Sequence, residues 1–531
     1  MGSAAVLTLI ILAACQHAPA REAIGSDTAS ADTGRNWARG AVFYEVFVRS
    51  FADSDGDGLG DLNGLREHLD ALNDGSPGSG DDLEVDALWL MPVFAASSDH
   101  GYDVTDYRSV APALGTLDDF EALIQAAHQR GLRIVVDLVL NHTSDQHPWF
   151  RESAASTDNA RRDWYLWRDQ DPGWVQPWST APSWHQRSTG WYHGLFSPGM
   201  PDLNLENPQV ERELLDVAAA WLRRGVDGFR LDAARHLIAH GSGAGQSDQP
   251  ETLHWWRRFG RQLHQRFPAA LLLGEVWSDT QTIARYLGSD DGGPPGLDGA
   301  FNFPLARAIE QAVRDADPAA LRAVVDEAQA SYANQSIDAT FAGNHDLPRL
   351  ARRLGADSAR LSLAHAILLS LPGTPVIYYG DELGMLGSDA PGDLAQRTPF
   401  PWGDDGTSTA DWTSTGPVLG GAPRASQLQD AASSWSAVRH WIAERRRLPA
   451  LRQGSLRWVD CGPQVLAFVR GHTSGSVLVI HNLGTTRATC ARPGRESLRS
   501  GQRAPVLVSP KGGDTIVVPA AGSRLVELDS R

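Results

Sequence analysis

The chain has 531 residues, 42% of them hydrophobic, enough for a large core and more than one structural unit. Its formal net charge of −17 excludes the broad basic face that phosphate binding needs, so nucleic acid is not an expected partner.

Residues 4–12 form an apolar run followed by Ala13-Ala14-Cys15. Such a run is too short to span a bilayer and fits the core of a secretory signal. Leu12-Ala-Ala-Cys15 resembles the bacterial lipobox, although no Lys or Arg precedes the run. That resemblance implies a signal peptide over residues 1–15 and an exported protein held to a membrane by lipid on Cys15; an incorrectly assigned start is the rival reading. Residues 16–37, rich in Ala, Ser, Thr, Gly and Asp, have little to bury and read as a tether. The two other cysteines, Cys461 and Cys490, could pair in an oxidising compartment, and sequence leaves that open.

From residue 41 short apolar runs alternate with helical segments. Strands are expected at 42–48, 87–92, 133–139, 226–231, 271–276, 297–303, 337–341 and 375–379, with helices near 62–72, 117–130 and 434–447. Repeated βα units indicate an α/β fold with a parallel sheet. Eight strands and no Gly-x-Gly-x-x-Gly after the first favour a (β/α)8 TIM barrel over a doubly wound sheet. Residues 142–206, rich in Trp, Pro, Ser and Asp and weakly periodic, read as a subdomain inserted after the third strand. The barrel is then expected over 38–141 and 207–448, with a polar excursion at 380–426. Short β-rich runs over 449–531 predict a C-terminal antiparallel β-sandwich domain.

Four stretches stand at the ends of these runs: Asp137-Leu-Val-Leu-Asn141-His142, Gly228-Phe-Arg230-Leu-Asp232-Ala-Ala-Arg235-His236, Gly274-Glu275-Val-Trp277 and Asn344-His345-Asp346. A barrel builds its active site at strand C-termini. One strand-end Asp is most often a cap or loop anchor, but three carboxylates on three strands are a stronger signal. Residues two apart on a strand face the same side, so Arg230 is expected to hold Asp232 ionised. Glu275, in an apolar run beside Trp277, is placed to hold and donate a proton. An ionised carboxylate and a protonated one about 5 Å apart meet the requirement for retaining glycoside hydrolysis.

These stretches resemble the four signature regions of the α-amylase family, glycoside hydrolase family 13, and the resemblance runs from Phe43 onward, weakest in the tail. It implies that Asp232 is the nucleophile, Glu275 the acid/base and Asp346 the Asp that grips the sugar hydroxyls. It also implies that Arg230, His142 and His345 bind substrate, and that Tyr102 and Asp103 line the non-reducing-end subsite. Most of the 18 Trp are expected in the core, though an indole face also stacks on sugar rings.

Asp53-Ser-Asp55-Gly-Asp57-Gly-Leu59-Gly-Asp61 alternates carboxylates with glycine, an oxygen set suited to Ca²⁺ and not an EF-hand, because Gly64 stands where that motif needs Glu. The bland reading is an acidic turn. The resemblance implies Ca²⁺ on Asp53, Asp55, Asp57, Asp61 and the Leu59 carbonyl. A second calcium site, through Asn141 and the His236 carbonyl, stays open.

Met200-Pro-Asp202-Leu-Asn204 and Arg397-Thr-Pro-Phe400 resemble the branch intermediate between oligo-1,6-glucosidases and neopullulanases. Ala233 stands where α-1,6-specific relatives carry Val. Arg235-His236 resembles a Lys-His pair beyond the cleavage point, with Arg a departure in geometry. The resemblance thus implies a monomeric α-amylase cleaving α-1,4 bonds of starch and maltooligosaccharides. The alternative is an exo-acting α-glucosidase or glucan transglycosylase. A non-catalytic sugar-binding surface protein is the distant one, because such relatives typically lose the carboxylates.

Overall fold

The computed structural model describes residues 34–288, 295–333, 335–403, 410–412, 419–493 and 515–528. The lipobox and most of the tether lie outside them. Residues 34–37, placed in the tether by composition, pack against the barrel instead: Arg35 pairs with Asp298 at 2.8 Å and Trp37 stacks on Phe43. Among the described residues no helix is long and apolar enough to cross a membrane.

Eight parallel strands close into a barrel: Phe43–Val46, Ala87–Leu90, Arg133–Leu138, Gly228–Leu231, Leu271–Gly274, Gly299–Phe301, Ile337–Phe341 and Thr374–Tyr378. Each pairs with its neighbours in sequence, and the last pairs with the first. Nearly every strand residue is buried, as parallel strands covered by helices require. Gly299 is a point of close approach, since a Cβ there would lie 2.4 Å from the Ile337 carbonyl oxygen. Helices wrap the outside, among them Leu117–Gln129, started by a Thr116/Asp119 capping box, and Pro208–Arg223, whose buried face carries Val210, Leu214, Val217 and Trp221.

The barrel thus matches the expected architecture. Sequence reading missed a ribbon between the second and third barrel strands, Phe94–Ala96 against Val104–Val110. Its register shifts break the strict alternation that marks a strand, which is why the pattern hid it. The ribbon's turn carries Tyr102 into the barrel mouth, with Asp103 the next residue along.

Between the third and fourth barrel strands the chain forms the helix Pro148–Ala155 and a small sheet of Trp167–Arg168, Trp184–Arg187 and Gly190–His193. The Phe150 ring packs there against Tyr165, Trp167 and Tyr192 with centroids 4.9–5.8 Å away, so core packing claims much of the aromatic content. Trp184, Trp221, Trp255, Trp256 and Trp435 are likewise fully buried.

The C-terminal domain is a four-stranded antiparallel sheet, Ser455–Val459, Val465–His472, Gly475–Asn482 and Gly522–Leu528, over a two-stranded one, Ala488–Ala491 with Thr515–Val518. Val459, Ala467, Leu478, Ile480 and Val518 form its core. Cys461 and Cys490 are joined, with Cα atoms 4.9 Å apart. Buried Arg470 ties the domain to the barrel by donating to the Ser370 carbonyl at 2.7 Å.

Candidate active site

Strand register sets the centre of the site. Asp137 and Arg230 are Cα partners on adjacent strands, so both project into the barrel mouth. Arg230, 2% exposed, donates from Nη1 to Asp137 Oδ1 at 2.6 Å and to Asp232 Oδ1 at 2.7 Å. Its Nη2 lies 3.0 Å from Glu275 Oε2. One guanidinium therefore serves three carboxylates.

Burial and Glu275 push the Asp232 carboxyl up, Arg230 pulls it down, and it settles at about 6. The expected pairing is present, but desolvation outweighs it. Asp137, wholly buried, is pushed up to about 7 by burial against the same Arg230. Ala233 follows with φ 49°, a left-handed backbone rare outside glycine, and its N–H donates to Glu275 Oε2 at 2.8 Å. The surroundings of Glu275 thus differ from those expected: the carboxylate rests on Arg230 and a backbone N–H, while the Trp277 ring stacks on Phe303 at 4.7 Å.

The third carboxylate lies beside this group. Asp346 Oδ2 is 3.2 Å from His345 Nε2, and its Oδ1 is 3.4 Å from Arg397 Nη2. Burial, then Glu275, raises Asp346 to about 7. Tyr102 lies parallel to His345 with rings 5.7 Å apart, and its hydroxyl is 2.6 Å from His345 Nε2 and 3.2 Å from Asp137 Oδ2. Asp103 accepts from Ser98 N–H at 3.1 Å. His142 is buried with no hydrogen-bond partner at Nε2 among the described residues, and burial keeps it neutral. Asp137, Arg230, Asp232, Glu275, His345, Asp346, Tyr102 and Arg397 are thus joined by polar contacts.

The family model described as "Alpha amylase, catalytic domain" matches residues 45–454. Alpha-amylase 3 of Dictyoglomus thermophilum is 38% identical over 461 residues, covering 85% of this chain and 86% of that protein. Trehalose synthase/amylase of Mycolicibacterium smegmatis is 35% identical over 515 residues, 85% of each chain. The solved structure of the alpha-amylase from H. orenii gives a TM-score of 0.80 at 34% identity, covering 92% of this chain and 99% of that one. The chain belongs to the α-amylase family. It is an α-amylase-type glycosidase built on the family's barrel.

Against that family background, Arg235 and His236 turn to partners outside the cluster. Arg235 is held by Asp248, Nε to Oδ2 3.2 Å, and donates to the Trp277 carbonyl. His236 is turned to the Gln246 carbonyl, 2.9 Å from Nδ1. Asn141 donates to Asp202 Oδ1 at 3.2 Å, and Asp202 Oδ2 lies 2.7 Å from His193 Nδ1, so a side chain already faces this acid.

In the acidic loop, Asp53, Asp55 and Asp61 bring carboxylate oxygens within 4.8 Å of one another, close enough to share one cation. Asp57 stays outside that group, its Oδ1 accepting from Leu59 N–H at 2.7 Å. Gly56 and Gly58, at φ 81° and 91°, let the loop fold back on Asp53.

Sequence reading did not single out Glu45, buried on the first strand with Oε1 2.6 Å from His345 Nδ1. Its signal was available: a lone charge inside the apolar run Phe43-Tyr-Glu-Val46. Trp89, which donates to Asp137 Oδ2 at 3.2 Å, carried no comparable mark.

Proposed function

We propose that the chain is a retaining α-amylase, cleaving α-1,4-glucosidic bonds in starch and maltooligosaccharides through a covalent glucosyl-enzyme. The observation that carries this reading is Arg230 bridging Asp232 and Glu275, with Asp346 beside them. Two carboxylates on one guanidinium suit the short separation of retaining enzymes, about 5 Å, more than the wider gap that admits a water.

In this reading Asp232, ionised with help from Arg230, attacks the anomeric carbon. Glu275 gives its proton to the departing glycosidic oxygen, and the sugar–oxygen bond breaks. Glu275 then takes a proton from water, which attacks the same carbon and frees Asp232. Asp346, with His345, His142 and Arg397, grips the hydroxyls of the reacting sugar, and Tyr102 and Asp103 close its non-reducing side. Ala233 after the nucleophile favours α-1,4 over α-1,6 bonds. Arg235 and His236 border the leaving side.

The donor set of Asp53, Asp55 and Asp61, with Asp57 and the Leu59 carbonyl in the same loop, fits Ca²⁺, a hard cation that takes oxygen ligands. It lies outside the carboxylate cluster, so its contribution is to the loop's stability. We further read the chain as a monomer, exported and anchored through Cys15, with the Cys461–Cys490 pair suited to an oxidising compartment.

Sizing the products of starch and of a defined maltooligosaccharide tests the reading. Internal cleavage with α-configured new ends is expected; glucose alone, released from chain ends, would overturn it. The second reading, transglycosylation on the same machinery, is favoured by the 35% identity to a protein named as both trehalose synthase and amylase.

A further inference from the structure

Among the described residues, two aromatic rings stand out as exposed, Trp178 at 53% and Trp277 at 40%. Both lie beside the loop that follows Asp232. Arg235 donates to the Trp277 carbonyl, and the next residue, His236, meets the Trp178 ring edge-on with centroids 5.6 Å apart.

Trp178 is not on a loose loop. Val175 bridges Pro182 across the turn, and Gln176 N–H donates to the Ala181 carbonyl at 2.9 Å. The Gln176 side chain is fastened to the Leu195 carbonyl at 2.8 Å. On the other side Val175 N–H donates to Ser242 Oγ at 3.0 Å, and Gln246 Nε2 donates to the Val175 carbonyl at 2.7 Å. The turn is thus stitched both to the inserted subdomain and to the loop after the fourth barrel strand. One face of the indole is backed by Phe196 at 5.5 Å, and Phe196 packs on His142 at 5.3 Å. A line of rings leads from the pocket to an open indole at its rim. Holding so large an apolar face rigidly in water has no packing return, whereas the C–H face of a glucose ring would cover it.

We propose that Trp178 is a stacking platform for a glucose unit beyond the cleavage point, on the leaving-group side, and so selects long α-glucan chains. The proposal rests on the α-glucan reading above. A chain departing from Glu275 crosses Arg235 and His236 before it meets Trp178, so the platform serves sugars past the first leaving unit.

The test compares parent, Trp178→Ala and Trp178→Phe on maltoheptaose and on α-maltosyl fluoride, whose leaving group is a single fluoride with no sugar to stack. The ratio of kcat/KM for maltoheptaose to that for the fluoride is expected to fall roughly five- to tenfold in Trp178→Ala. Trp178→Phe should recover most of it, and cleavage should shift toward bonds with fewer leaving units. An unchanged ratio and cleavage pattern in Trp178→Ala overturns the proposal. Failure of the underlying reading shows elsewhere, as a parent enzyme that leaves maltoheptaose intact.

Discussion

Glu45 and His345 share a buried hydrogen bond, Oε1 to Nδ1 2.6 Å, at the floor of the active site. Glu45 Oε2 is buried and has no partner among the described residues. Burial pushes this carboxyl well above the usual range, and burial with Arg230 and Arg397 holds His345 neutral. A neutral acid donating to Nδ1 leaves the imidazole proton on Nε2, which faces Tyr102 OH at 2.6 Å and Asp346 Oδ2 at 3.2 Å. Glu45 then fixes the tautomer through which His345 positions Asp346.

That relationship gives the first expected outcome. Glu45→Gln keeps a donor for Nδ1 and should retain activity within about threefold, whereas Glu45→Leu should lose roughly tenfold or more in kcat/KM, the range for orphaning a buried polar group. The ¹⁵N shifts of His345, assigned by difference against His345→Gln, should report an Nε2–H tautomer in the parent. Equal losses in both Glu45 variants would rule the donor role out.

Asp232→Asn should lower turnover by several powers of ten while oligosaccharide binding persists, because a covalent catalyst is removed and the pocket keeps its shape. Stopped-flow hydrolysis of a glucosyl fluoride and calorimetric binding of maltotriose check the two halves. More than about 1% residual turnover would mean that another group attacks.

The pH profile follows from Asp232 at about 6. Below that value the carboxyl is protonated and cannot attack; above it the carboxylate forms, so kcat/KM should rise with pH through a midpoint near 6, reporting the coupled acid cluster. Arg230 pulls this value down, so Arg230→Lys, which cannot span the same three carboxylates, should move the limb to higher pH. Arg230→Leu leaves the acids without their cation and should cost about 3–5 kcal/mol of stability in a denaturation series. A limb that stays put in Arg230→Lys would refute the coupling.

For the cation loop, excess Ca²⁺ should raise Tm and chelation should lower it, with about 2.7 kcal/mol gained at a hundred times Kd. Asp55→Asn removes one converging carboxylate and should flatten the response in scanning calorimetry. A parent enzyme whose Tm ignores both Ca²⁺ and chelator would count against the site.

The barrel was legible because its strands are short, apolar and spaced by amphipathic helices, and strand-end acids show as polar breaks in apolar runs. Asp232, Glu275 and Asp346 were found that way. What sequence could not show was which partner each charge would meet. Arg230 was expected to hold Asp232 ionised; strand register hands it Asp137 as well, and Glu275 reaches it from the next strand. Arg235 was expected beyond the cleavage point, and nothing in the pattern marked Asp248, thirteen residues on, as the acid that pairs with it. Glu45 stood out only as a lone charge in an apolar run; its partner, His345, lies 300 residues away, a contact that only barrel closure makes.

The sharing of Arg230 has one more consequence. Four acids, Asp137, Asp232, Glu275 and Asp346, surround two guanidiniums, Arg230 and Arg397, so the pocket carries more acid than base. Such a basin welcomes the positive character that a sugar acquires as its glycosidic bond breaks. It also repels phosphate, so phosphorylated glucose units on a glucan should act as roadblocks, and protonated amines shaped like sugars should plug it.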